Sequence, residues 1–187
     1  MKIIFLSGLL MFSVSCSSLA KQSLAESYSE QKRATASYKI SDFKVGDPVV
    51  YSFNDKTNLD IIVGLNTKDD RIILEKAGSV LVNYVFPLVL ELGDLNVSQS
   101  AVFNFNNKTE LVTILAISER SVLLGNGNWT LPSHLQPLVQ DYKGIKVGDK
   151  VKINFNGTIT VGTMELISSE RCRVNGRWVL LNYVEKI

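Results

Sequence analysis

Histidine and cysteine are scarce: the 187-residue chain has one and two. The one histidine, His134, falls in an expected turn beside Pro132, and no orienting partner for a general base is visible in the pattern around it. The sequence also has no Cys-x-x-Cys pair, no His-Glu-x-x-His run, no glycine-rich phosphate loop and no serine nucleophile elbow. The expectation is a non-catalytic protein without metal or cofactor. Two cysteines make no disulfide framework, and in "ERCRVN" strand alternation puts Cys172 on the face of Val174, away from Arg171 and Arg173, as a buried and inert thiol. A long apolar run is missing too. "IIFLSGLLMF", Ile3 to Phe12, follows Lys2 and is too short for a stable membrane span, so residues 1–15 read as a secretory signal peptide.

Two exits from that signal are open. "FSVSC", Phe12 to Cys16, resembles a bacterial lipobox, which implies lipidation at Cys16, although Ser13 stands where leucine is usual; the alternative is ordinary cleavage after "SLA", ending at Ala20. Residues 16–42 are rich in Ser, Ala, Lys and Glu and nearly empty of large apolar side chains. Burial there does not offset the entropy of ordering, so a flexible tether is expected.

Beyond the tether the chain repeats itself. "KVGDPVVYSFND" (44–55) returns as "KVGDKVKINFNG" (146–157), with a degraded copy, "NVSQSAVFNFNN", between them. Phe53, Phe105 and Phe155 mark the period; Asp70-Arg71, Glu119-Arg120 and Glu170-Arg171 recur with it, as do "NYV" at Asn83, "SHL" at Ser133 and "NYV" at Asn182. A period near fifty residues signals a repeated supersecondary unit, giving repeats over 43–92, 93–142 and 143–187.

Each repeat reads as short strands. Val49, Tyr51 and Phe53 alternate with Val50 and Ser52, and Val151, Ile153 and Phe155 alternate with Lys152 and Asn154. Asn156-Gly157 and Asn175-Gly176 are two-residue hairpin signals, because both positions of that turn need a positive φ. Linking segments are too short for crossover helices, so the sheets are expected to be antiparallel. Strands of this number, opened by Val-Gly-Asp and closed by Asn182-Tyr183-Val184, resemble the small SH3-like barrel in the wide sense that includes Tudor-like modules. That resemblance implies an all-β fold of three tandem five-stranded barrels, packed together. The very short first hairpin loop departs from proline-rich peptide binders and favours the Tudor-like end.

Candidate surfaces follow. Tyr51, Tyr84, Trp129, Trp178 and Tyr183 are either a cation-holding aromatic surface, with Trp129, Trp178 and Tyr183 foremost, or barrel-end packing. Residues 42–92 carry five basic and eight acidic side chains and residues 143–187 eight and four. The basic end presents Lys150, Lys152, Arg171, Arg173 and Arg177 as a candidate anion or partner site, or a solvated face. "VLVNYVFPLVLEL" (80–92) is more apolar than one sheet face needs, so a neighbouring repeat or another protein should cover it, with Pro87 holding its strand at an edge. The combined expectation is a binding or assembly module of the bacterial envelope, lipid-anchored or soluble in the periplasm or medium. Its partner would be a protein or cell-wall polymer, not nucleic acid; the alternatives are a purely structural subunit and an enzyme with an unfamiliar site.

Overall fold

The repeated phrase turns out to be a turn that starts each sheet. In the computed structural model, which describes residues 38–54 and 56–187, the Asp47 carboxylate accepts the Lys44 N–H (2.8 Å) and Asp149 accepts that of Lys146 (2.9 Å). In the degraded copy Gln99 takes the N–H of Asn96 (3.1 Å). The residue before the acceptor is left-handed in all three turns, Gly46 at φ 96°, Ser98 at 69° and Gly148 at 93°. Its N–H reaches a carbonyl of the long strand, Ile62, Ile114 or Met164, at 2.8 Å each time. The turn therefore favours glycine and needs a side-chain acceptor, places that Ser98 and Gln99 also fill. Ser98→Gly should raise stability by about 0.5–1 kcal/mol, because serine carries a Cβ into a conformation glycine adopts freely; a chemical-denaturation midpoint checks it.

Three five-stranded antiparallel sheets follow. The first comprises β1 (Pro48–Phe53), β2 (Lys56–Asn66), β3 (Arg71–Leu74), β4 (Gly78–Leu81) and β5 (Val85–Pro87), in the order β4-β3-β2-β1-β5. A small hairpin, β6 (Glu91–Leu92) and β7 (Leu95–Asn96), leads to the second: β8 (Ser100–Phe105), β9 (Lys108–Ile117), β10 (Val122–Leu124), β11 (Trp129–Thr130) and β12 (Leu135–Pro137). Another hairpin, β13 (Asp141–Tyr142) and β14 (Ile145–Lys146), leads to the third: β15 (Lys150–Phe155), β16 (Thr158–Ile167), β17 (Arg171–Val174), β18 (Arg177–Leu180) and β19 (Val184–Lys186). The strand order is the same in all three, and a 3₁₀ turn (Val82–Tyr84, Pro132–His134 or Leu181–Tyr183) precedes each last strand. No pairing joins the two outer strands of a sheet, so the sheets are open. Pro87 lies on an outer strand, where its missing N–H breaks no ladder.

Each sheet has its own apolar core, with Val49, Ile62, Ile72 and Leu74 in the first, Ala101, Ile114, Ile117 and Leu124 in the second, and Val151, Met164, Cys172 and Val174 in the third. Asn106-Asn107, Asn156-Gly157 and Asn175-Gly176 all have positive φ, as two-residue hairpins require. Cys172 is fully buried, and burial pushes its thiol up to about 11.

Three expectations need correction. The described residues include the last part of the segment read as tether, and there Tyr38 and Ile40 pack on the first core and residues 40–42 form a 3₁₀ turn. The signal peptide, Cys16 and the tether up to residue 37 lie outside the described residues. The Asp/Glu-Arg landmarks are also not all in register. Pairing puts Arg71 opposite Asn66 at the mouth of the first β2–β3 loop, and Arg171 at the matching start of β17, whereas in the second sheet that place belongs to Ser121 and Arg120 falls one residue early. Third, the faces of the opening strands are not cleanly half-buried. Val50 and Val102, on the faces opposite Val49 and Ala101, are also fully buried, while Phe53, Phe105 and Phe155 at the strand ends are 41%, 44% and 53% exposed.

The doubly buried strands mark where successive sheets meet. Phe86, in register with Val50, lies under the Arg120 guanidinium (4.5 Å to the ring centroid) and edge-on to Tyr38. Burial first, and bonding to Glu119 second, push the Tyr38 hydroxyl up to about 12. At the next junction Gln136, in register with Val102, donates to Glu170 (2.8 Å) and accepts from Ser168 Oγ (2.9 Å). Backbone bonds at 2.9 Å, Val89 to Ile117 and Val139 to Ile167, bind each connecting segment to the following sheet. The apolar stretch from Val80 is accordingly shared, with Val80 and Val85 in the first core and Val89 and Leu92 against the second. The third sheet differs: its corresponding pair, Lys152 and Glu185, forms a 2.7 Å ion pair open to solvent.

Candidate binding groove at the first junction

The five candidate aromatics do not converge on one cage. Tyr84 stands edge-on to Phe53 (4.9 Å) in the first sheet and Tyr183 edge-on to Phe155 (5.1 Å) in the third. Their counterpart in the second sheet is His134, stacked on Phe105 at 4.1 Å with its Nδ1 3.0 Å from Thr130 Oγ1. Burial lowers the His134 pKa from its usual 6.5, which favours the neutral ring. Trp178 lies on outer strand β18 opposite Arg173.

Tyr51 and Trp129 do come together. They line one hollow of 360 Å³ between the first two sheets, with Leu59 and Asp60 on one side and Leu123 on the other. Trp129 also lines a second hollow, of 280 Å³, with Phe103 and Phe105. The indole is placed there by the tight β10–β11 connection, where Gly127 (φ 82°) donates to the Leu124 carbonyl and Asn128 donates to Asn126 Oδ1 (3.0 Å). One half-buried indole therefore forms part of two adjoining recesses.

The polar lining is largely self-satisfied. Asp60 is buried at 4% exposure, and its carboxylate accepts the N–H groups of Ile61, Lys76 and Ala77 at 2.8–3.2 Å. Glu110 is held by Lys108 at 2.9 Å. Asn58 borders the first recess, and Asn106, Asn126 and Asn128 border the second. Among these groove residues only Tyr51 and Trp129 stand out in sequence as candidates for binding; Phe105 stands out only as a marker of the repeat. Asp60 had one available signal, an acid inside the apolar run "LDIIVGL".

The five basic candidates are less gathered than their numbers suggest. Lys150 and Lys152 are on β15 and Arg171 and Arg173 on β17, with β16 between them. Lys150 donates to Thr163 Oγ1 (2.8 Å), Lys152 pairs with Glu185, and Arg173 Nε is 3.1 Å from Glu165; Arg177 is exposed at the start of β18. Among the described residues no three of His, Cys, Asp and Glu are grouped to hold a metal ion, and no helix is long and apolar enough to cross a membrane. Compared with protein-family models and with curated proteins, the chain has no match in either.

Proposed function

We propose that this protein is a non-catalytic binding module of the bacterial cell envelope. It is exported by residues 1–15, anchored through lipid at Cys16, and presents three SH3-like barrels (43–92, 93–142 and 143–187) to an envelope protein or cell-wall polymer, without a cofactor. The observation that carries this reading is the groove itself. Two neighbouring sheets place aromatic rings and amide side chains around recesses of 360 and 280 Å³, near the size range of ligand pockets. Trp129→Ala should reduce retention on isolated envelope material at least tenfold in a chain that still folds, since a central tryptophan contact carries about 2 kcal/mol or more. Undiminished retention would remove the groove from the function.

A second reading, a structural subunit packed within an envelope complex, is favoured by one feature. Leu59, Ile61, Val63 and Ile73 of the first sheet are 36–50% exposed. If Ile61→Lys with Val63→Lys abolishes retention and Trp129→Ala does not, this reading replaces the first.

A further inference from the structure

We propose that the Trp129 groove takes a neutral oligosaccharide, two adjoining sugar units lying in the two recesses against the shared indole; this rests on the reading of the protein as a binding module. Charge is the first argument. The groove holds Asp60 and Lys76 on one side and Glu110 and Lys108 on the other, a balanced set. The Asp60 carboxylate is already bonded to backbone N–H groups and Glu110 to Lys108, so no uncommitted carboxylate remains to reinforce cation–π attraction. An anion fares no better, because Lys108 is engaged and Lys76 stands alone near a buried acid. The ligand best matched to this lining is uncharged.

Hydrogen-bonding capacity is the second argument. Asn58, Asn106 and Asn128 each carry an amide that both donates and accepts, as a sugar hydroxyl does, and Asn126, whose Oδ1 already accepts from Asn128 N–H, keeps its Nδ2 donors. The third is shape. Sugar rings present flat C–H faces between their hydroxyls, and aromatic rings provide a flat apolar surface of similar extent: Trp129 with Tyr51 in the first recess, Trp129 with Phe103 and Phe105 in the second. Two recesses sharing one ring suit successive units of a chain better than two separate molecules.

The test uses isolated envelope material, untreated, protease-digested, or stripped of glycan by glycoside hydrolases together with periodate, which cleaves only sugar units that keep free vicinal diols. The expected result is retention of the full chain that survives protease, is lost at least tenfold after glycan removal, and changes less than threefold when salt is raised to about 0.5 M, where ionic contacts are screened. Asn58→Ala and Asn128→Ala should each weaken it severalfold without a matching fall in melting temperature. Retention that depends on Trp129 but survives glycan removal would overturn the saccharide, and its loss on protease digestion would leave a protein-binding module. Retention indifferent to Trp129, or none at all, would remove the underlying reading as well.

Discussion

Asp60→Ala should destabilise the protein by about 3 kcal/mol, measured as a shift in the denaturant midpoint at unchanged slope. The carboxylate is the buried acceptor for the N–H groups of Lys76 and Ala77 in the β3–β4 turn, and alanine leaves those donors without a partner. Asp60→Asn keeps one acceptor oxygen and should lose only about 1 kcal/mol. The corresponding positions show how specific this device is. Asp60 is opposite Val49 on β1, and the residues in that place in the other two sheets are Val112 and Gly162. At Gly162 the direction of support is reversed: Asn175 reaches from the turn to the strand, accepting from Thr163 N (3.1 Å), and a Cβ on Gly162 would lie 2.8 Å from its Nδ2. A loss below about 0.5 kcal/mol for Asp60→Ala would mean that water replaces the carboxylate at the turn.

Transplanting the terminal ion pair into an interior junction should uncouple the third sheet. Val102→Lys with Gln136→Glu puts the Lys152–Glu185 arrangement where Ser168 and Glu170 now pack. Burying a charged pair in place of a well-fitted apolar and amide pair costs about 1–4 kcal/mol, and the new carboxylate would face Glu170. Calorimetry should then show the third sheet melting separately, with protease cutting near the β13–β14 hairpin. A single transition displaced by less than about 2 °C would show that the junction contributes little to cooperativity.

The period of fifty, the antiparallel strands and the asparagine hairpins were legible because turns and alternation are local. So was the burial of Cys172, which alternation placed beside Val174. The junctions were not, because they depend on which residue of one sheet meets which of the next. Arg120 looked like a periodic landmark, yet it is one residue out of register and covers Phe86 instead. Lys152 looked like a free cation, but its partner Glu185 is distant in sequence and adjacent only through the pairing of β15 with β19. Tyr51 and Trp129 were visible as candidates separately. Only the packing of two sheets puts them in one recess.

The unequal junctions make the three sheets non-interchangeable. A chain rearranged to run first, third, second would set Arg120 over Glu185, the counterpart of Phe86, in place of an apolar ring, and would leave Val102 and Gln136 uncovered at the exit. Serial position is thus written into a handful of contact residues. No copy in this chain can stand in for another, so the assembly has a direction.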